Sequence, residues 1–372
     1  MNYKSIFNLL GILLGIFSLS FIPPLVLTFI YNESGREIFL FSFIFFSILG
    51  VGIWALTRQK SLPLNISDGF IITTLFWVVL ACAGSVPFYF FGLELSDAIF
   101  ESVSGITTTG ATTIIGLDNL PKSILLYRQL LQWIGGMGLI VLAVAVMPAL
   151  GIGGSQLYKM ELPGTHGNQK LTPKITDSAK ALWKIYVGLT VLCASLYLLS
   201  GMSLFDSIAH SLSTVAGGGF STHDDSIGFF NSGLVETVCI IFMLLSAASF
   251  AVHYAAIFGG KPLKYFYDSE FRFFLSVVLL ITTVSLIIHI ISNSYTDVFT
   301  AFSSTIFHTV SIVTTSGFTT ENFSLWPGFL PYLLLVGAFM GACSQSVGGG
   351  IKAWRVLIMI NCLLYTSPSP RD

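Results

Sequence analysis

The sequence predicts an all-α polytopic membrane protein, built as two leading helices followed by three parallel helix–pore loop–helix repeats of an expected four around a pseudo-fourfold axis. Three observations predict it. Charged residues make up 9% of the chain and apolar residues 54%, against roughly 25% charged in a soluble domain. Such a chain cannot cover a globular surface with polar groups, so its solvent is membrane lipid. Apolar runs long enough to cross a bilayer recur along the chain. Finally, one ten-residue pattern occurs three times between them: SGITTTGATT from Ser104, STVAGGGFST from Ser213 and SIVTTSGFTT from Ser311.

The first leading helix is expected over about Ile6 to Ile30, interrupted by Pro23-Pro24, and the second over about Ile38 to Leu56. The first run is too long for a signal-peptide core and lacks a small-residue cleavage site. Each repeat then has the same parts. In the first they are a helix over Phe70 to Phe91, a short segment Leu95 to Val103, the loop from Ser104, and a helix over Ile124 to Leu150. In the second they are Ala181 to Gly201, Leu204 to Leu212, the loop, and Leu234 to Phe258. In the third they are Phe273 to Ile291, Phe299 to Val310, the loop, and a helix starting near Pro327. The short segments cannot cross ~30 Å of hydrocarbon and return. They read as re-entrant half-helices, tolerated at membrane depth where protein or a water-filled cavity surrounds them. The expected divisions are 1–67, 68–154, 155–180, 181–258, 259–272, 273–360 and 361–372, the third and fifth being inner loops.

Charge placement gives the orientation. With the N-terminus inside, the inner side collects Lys4, Arg58, Lys60, Lys159, Lys170, Lys174, Lys180, Lys184, Lys261, Lys264, Arg272, Lys352 and Arg355. The outer side keeps Arg36, Lys122 and Arg128, with Arg371 in the tail. This is the positive-inside bias, and it puts the three loops outside. Two crossings per repeat make the repeats parallel, related by an axis along the membrane normal. Aligned on Gly110, Gly219 and Gly317, the loops recur at roughly 100-residue intervals.

A Thr/Gly-rich loop without charge suits an ion filter. Main-chain carbonyls must turn toward an axis to replace an ion's hydration shell, and glycine permits the backbone angles this needs. The candidate filter residues are Thr107, Thr108, Thr109 and Gly110; Ala216, Gly217, Gly218 and Gly219; and Thr314, Thr315, Ser316 and Gly317. Glu101, His210 and His308 share one repeat position, nine residues before each Gly. They read either as polar groups tuning the filter or as hydrogen-bonded residues packing the half-helix. Outer acids (Glu94, Asp97, Asp118, Asp206, Asp224, Asp225, Asp297, Glu321) read either as concentrating cations near the mouth or as a solvated acidic surface.

From Gly341 to Gly350 the third inner helix carries glycines, Ser344, Gln345 and Ser346 where a spanning helix should be apolar. Glycine costs about 1 kcal/mol relative to alanine within a helix. We therefore expect an intramembrane loop there, with Gly341, Ser344, Gln345, Ser346, Gly348, Gly349, Gly350 and Lys352 as gate residues. The GGMG run at Gly135–Gly138 reads as a packing face instead. Cys82, Cys193, Cys239 and Cys343 lie singly in apolar spans and read as packing residues.

Four stretches carry a resemblance: TTTGAT at Thr107–Thr112, WIGGMGLIVLAVAVMPALGIGG at Trp133–Gly154, TTSGFTT at Thr314–Thr320, and GACSQSVGGGIKAWR at Gly341–Arg355. They resemble the Trk/Ktr/HKT superfamily of potassium transporters, most closely its bacterial Trk branch, over about Met1 to Ile360. The resemblance implies two leading helices and four pore repeats, so a fourth repeat is expected beyond Ile360. CLLYTSPSPRD at the end departs from membrane composition and reads as foreign sequence. The resemblance implies potassium coordination by carbonyls of Thr108, Thr109, Gly217, Gly218, Thr315 and Ser316, a loop gate, a bacterial inner-membrane location and no cofactor. It further implies a homodimer and a cytosolic nucleotide-binding regulatory ring subunit.

No basic run suggests nucleic acid, and no nucleotide-binding glycine pattern lies in the inner loops. Two other classes fit parts of the sequence. An intramembrane enzyme, using His253 or His308 with a nearby serine, needs a unique catalytic pair, whereas these polar features recur with the repeat. A small-solute carrier predicts inverted repeats and one pocket. A sodium/potassium-coupled symporter is a further alternative.

Overall fold

The computed structural model describes residues 3–58, 66–150 and 175–366, which fold as helices joined by short connections without a β-strand among them. The end of the Trp133–Gly154 motif, most of the expected 155–180 loop, Lys60 and the last six residues lie outside the described residues.

The N-terminal span is α1 (Tyr3–Ser18), a 3-10 turn, and α2 (Ile22–Ile30). Pro23 falls in the first turn of α2, where its missing N–H has no intrahelical partner to lose. α3 (Arg36–Thr57) packs antiparallel against α1 through small residues. A side chain on Gly11 would meet Gly50 O at 2.9 Å, and one on Gly50 would meet Gly15 N at 2.6 Å. Two glycines here let the backbones approach, as small residues do between membrane helices. Ser18 and Ser47 share a 2.8 Å hydrogen bond across the same seam, and Asn8 donates to Trp54 O.

Three helix–short helix–loop sets follow. The first is α4 (Ile66–Phe90), α5 (Leu95–Ile106) and α6 (Lys122–Leu150). The second is α7 (Ile175–Leu199), α8 (Leu204–Ala216), α9 (Gly233–Ala247) and α10 (Phe250–Ile257). After α11 (Lys264–Tyr267), the third is α12 (Ser269–Ile291), α13 (Val298–Val313), α14 (Leu330–Met340) and α15 (Ala353–Thr366). Among the described residues five helices are apolar and long enough to cross a membrane, Tyr3–Ile30, Arg36–Thr57, Ser67–Phe90, Lys180–Leu199 and Ser269–Ile291, and the bent pair Gly233–Ala247 and Phe250–Ile257 makes a sixth if it counts as one span. Their outward faces carry large exposed apolar side chains, among them Ile48, Val191, Leu279 and Leu280. On a polar-solvated protein such a belt would be a liability; in lipid it is the solvent-facing surface.

The short helices α5, α8 and α13 have 12, 13 and 16 residues, about 18–24 Å at 1.5 Å per residue, too short to span. Each runs three or four residues further than the sequence suggests. Ser104, Ser213 and Ser311 are helical, and Ala216, expected in a loop, is the last helical residue of α8. Small polar residues read as loop residues, but Ser104 and Ser311 bond across the turn, to Ala111 O and Phe318 O, instead of competing with the helix.

One expectation fails outright. The helix expected from Leu234 to Phe258 is two helices, α9 and α10, bent by 102° at Ala248–Ser249. Ala248 is extended (φ −76°, ψ 150°), and the Ser249 side chain caps α10 by accepting from Ala251 N. The main-chain groups freed at the break bond the distant 341–350 segment: Cys343 N donates to Ala247 O and Phe250 N to Gln345 O, both at 3.0 Å.

Candidate functional site

The three motif loops begin where α5, α8 and α13 end, so the carbonyl ends of three helix dipoles point into one region and favour a cation there. Within each loop the backbone repeats one unusual geometry. Two residues before the motif glycine, φ is positive: 55° at Thr108, 64° at Gly217 and 62° at Thr315. It is positive again at the glycine itself: 78° at Gly110, 75° at Gly219 and 84° at Gly317. The residue between is not left-handed in any copy. Alternating backbone hand is the conformation that can turn successive carbonyls toward one side. Left-handed threonine is strained by its branched Cβ, and such strain persists only where the surroundings impose it.

In loops one and three the motif serine closes the turn. Ser104 Oγ donates to Ala111 O at 2.5 Å and Ser311 Oγ to Phe318 O at 2.6 Å. Inside the same two loops a hydroxyl pair braces the backbone: Thr107 with Thr109 at 2.8 Å, Thr314 with Ser316 at 3.0 Å. The second loop has Ala216 and Gly218 at those positions and no hydroxyl to pair. There Gln132, from α6 of the preceding set, enters the loop. Its Nε2 donates to Gly218 O at 2.7 Å, and its Oε1 accepts from Ser213 Oγ at 2.6 Å and Phe220 N at 3.1 Å.

Neighbouring loops touch. A side chain on Gly110 would run into Gly218 O, and one on Gly219 into Ser316 O; around Gly317 there is open space. Loop two is therefore enclosed by loops one and three, while Thr107, Thr109 and Gly317 are exposed on the flanks.

The repeat position nine residues before each glycine ties down the loop's exit. Glu101 accepts from the Thr112 hydroxyl, from Thr113 N at 2.9 Å and from Ile114 N at 3.3 Å. His210 donates from Nδ1 to Asp206 O and accepts at Nε2 from Ser221 Oγ, both at 3.0 Å. His308 donates from Nδ1 to Ser304 O at 2.9 Å and accepts at Nε2 from Thr320 N at 3.4 Å. Of the two readings of this position, hydrogen-bonded packing is the one the geometry matches.

Arg128, which the charge count puts on the outer side, is not a surface charge. It is fully buried on α6, with Nε 3.3 Å from Glu101 Oε2, Nη1 donating to Ser221 O at 3.2 Å and Nη2 to Thr112 Oγ1 at 2.9 Å, over the Phe220 ring. The signal for Arg128 and Gln132 was their spacing of four on an apolar helix, which puts both on one face.

The expected gate residues do leave the helix. Between α14 and α15 the chain folds back on itself: Ala342 N bonds Gly349 O (3.2 Å) and Ala353 N bonds Ala342 O (3.0 Å). Gly341 and Gly350 have φ of 70° and 84° and abut each other. Lys352 Nζ caps Gly348 O and lies 3.4 Å from Ser346 O, while Ser346 Oγ donates to Cys343 O. Glu270, at the start of α12, accepts from Ser344 N at 2.5 Å and Trp354 N at 3.1 Å, holding both ends of the segment. Its tip reaches the motif loops: Gly349 N donates to Thr315 Oγ1 at 2.6 Å, and Val347 lies beside Gly217.

The GGMG run packs tightly, as expected of it. A side chain on Gly135 would strike Ile106 O, one on Gly136 would meet the Tyr186 hydroxyl at 2.7 Å, and one on Gly138 would meet Trp77 at 3.0 Å. Several of the acids expected on the outer side also hold local structure while remaining exposed. Asp297 caps α13, Asp224 accepts from Gly116 N, and Glu321 accepts from Tyr295, Ser304 and Trp326.

The chain matches the TrkH family model, a cation transport protein, over residues 35–370. It belongs to the TrkH family. It is 46% identical to the Trk system potassium uptake protein TrkH of Vibrio parahaemolyticus over 364 residues, covering 96% of this chain and 75% of that protein. It is 43% identical to the protein of the same name from Escherichia coli K12 over 362 residues, again 96% and 75%. The crystal structure of the potassium transporter TrkH from Vibrio parahaemolyticus superposes with a TM-score of 0.87 at 43% identity, covering 99% of this chain and 78% of that one. The family is one of transport rather than catalysis. The two histidines weighed for an enzyme are spent on structural bonds: His253 on Leu245 O and Tyr265, His308 on its own loop.

Proposed function

We propose that the chain takes up potassium through a channel-like pore whose selectivity filter is the three motif loops and whose gate is the 341–352 segment. The observation that carries this reading is the repeated left-handed pair at Thr108/Gly110, Gly217/Gly219 and Thr315/Gly317 in adjoining loops. A backbone held this way offers carbonyl oxygens in place of a hydration shell. Thr107, Thr314 and the exit braces hold the loops. Carbonyls of Thr108, Thr109, Gly217, Gly218, Thr315 and Ser316 supply the ligands, with one acceptor direction of Gly218 O already taken by Gln132. The open flank beside Gly317 and Thr109 is where a fourth loop closes the ring.

The gate reading rests on position. A main-chain loop fixed by Glu270 and Lys352 lies against the filter at Thr315, where it obstructs the path below. The membrane is the bacterial inner membrane, crossed repeatedly with the filter outside. The working assembly is a homodimer with a cytosolic nucleotide-binding ring subunit, for which the names "Trk system" on the relatives are the support. Potassium is the transported ion, and no resident cofactor is required.

Flux into proteoliposomes tests the reading. Potassium or rubidium uptake in excess of sodium is the expected result. Saturable uptake of an organic solute without cation flux would favour a carrier and overturn it.

A further inference from the structure

The second filter loop lacks the parts that brace its two neighbours. Loops one and three each carry the hydroxyl pair described above, and each motif serine bonds the carbonyl just past its own glycine. Loop two has Ala216 and Gly218 in place of the pair, and Ser213 Oγ turns instead to Gln132 Oε1. The Gln132 amide fills the space that a side chain on residue 218 would occupy: a Cβ there would lie 2.6 Å from Oε1 and 2.7 Å from Nε2. Gly218 is not left-handed, so its lack of a side chain answers to that space and not to φ.

We infer that Gln132 is a positioning residue for ion selectivity, a brace supplied in trans by the first repeat that replaces the hydroxyl pair missing from the second filter loop. The inference rests on the filter reading above and adds to it a residue outside the motif. Gln132 is fully buried, and its amide is satisfied on both atoms by loop two alone. A carboxamide is suited to this because one end donates and the other accepts. The brace also fixes the contact between loops, since Gly218 O is the atom that abuts Gly110. Loosening it moves the walls of the pore relative to each other.

The test is the ratio of potassium to sodium flux in proteoliposomes of the full chain. Gln132→Glu keeps an acceptor for Ser213 and Phe220 but places a second oxygen against Gly218 O. Its ratio is expected to fall about ten-fold, with a lower melting temperature in detergent because the buried carboxylate has no donor on that side. Gln132→Ala is expected to fall likewise, and adding Ala216→Thr with Gly218→Ser, the pattern of loop three, restores the ratio. The same two loop changes with Gln132 in place lower the ratio, because the new side chain meets the amide. Gln129→Leu, one turn back on α6 with an unpaired side-chain amide, leaves it unchanged. A wild-type ratio in Gln132→Glu, or loop-three residues that fail to rescue a folded Gln132→Ala, overturns the inference while the filter reading stands. A wild-type protein with no preference for potassium overturns both.

Discussion

Gly349 N donates to Thr315 Oγ1 at 2.6 Å, so the segment proposed as gate is hydrogen-bonded to the segment proposed as filter. The two segments therefore share a hydrogen bond whose loss is felt by both. Thr315→Val keeps the branched shape and removes the acceptor, leaving Gly349 N unpaired. One hydrogen bond is worth about 1 kcal/mol, enough to shift a closed–open balance about five-fold. Basal potassium flux through liposomes is expected to rise by that order. Flux equal to wild type would show that the contact does not hold the segment closed.

The three motif glycines are not equivalent, and their substitutions should rank accordingly. All three sit at positive φ, where a side chain costs about 1–2 kcal/mol. A Cβ on Gly110 or Gly219 also strikes the neighbouring loop's carbonyl, whereas Gly317 faces open space. Gly110→Ser and Gly219→Ser are expected to weaken potassium discrimination strongly, Gly317→Ser less. The ratio of rubidium to sodium uptake checks the order.

The Glu101–Arg128 pair is buried completely and joins loop one, loop two and α6. Removing one partner of a buried pair costs about 3–5 kcal/mol, because the other charge is left without compensation. Arg128→Met should lower the melting temperature in detergent sharply, and Glu101→Leu together with Arg128→Met should recover part of the loss. Two single variants that melt like wild type would contradict this account of the α6 face.

A cluster of His223, Asp118 and Asp206 should make the protein's stability depend on pH. His223 Nδ1 is 2.5 Å from Asp118 Oδ1, its Nε2 is 3.5 Å from Asp206 Oδ1, and Phe229 stacks on the ring at 3.5 Å. Burial alone would lower the His223 pKa, but hydrogen bonds and charge from Asp206 and Asp118 outweigh it and raise it. The His223 hydrogen bond likewise holds Asp118 below the ordinary range, and hydrogen bonds from His223, Ser203 and Thr222 outweigh burial to do so for Asp206. The histidine's contribution is complete below its unfolded value of about 6.5 and is lost as pH rises through the raised folded value. The carboxylates' contribution is present above about 4 and is lost as pH falls through their lowered values. Thermal stability should therefore decline on the alkaline side, and His223→Gln should remove that decline. An unchanged alkaline limb in the variant would place its cause elsewhere.

What could be read in the sequence was what repeats or what is composed unusually. Gly110, Gly219 and Gly317 are visible as a pattern because φ > 0 admits few residues, and Gly341–Gly350 because a spanning helix excludes such composition. The bend at Ala248–Ser249 was hidden, since alanine and serine are tolerated in helices. Its cause lies about a hundred residues on, in the main-chain bonds from Cys343 and to Gln345. Gln132 and Arg128 were equally silent. Each acts across elements, on Gly218 and Ser221, and such pairings leave no local mark beyond two polar residues on one face of an apolar helix.

The most direct test of the filter is the position of a potassium congener. Crystals of the protein soaked in rubidium, measured at the rubidium absorption edge, should show anomalous density in the space bordered by the carbonyls of Thr108, Gly217 and Thr315. Rubidium held elsewhere, with that space empty at saturating rubidium, would contradict the account.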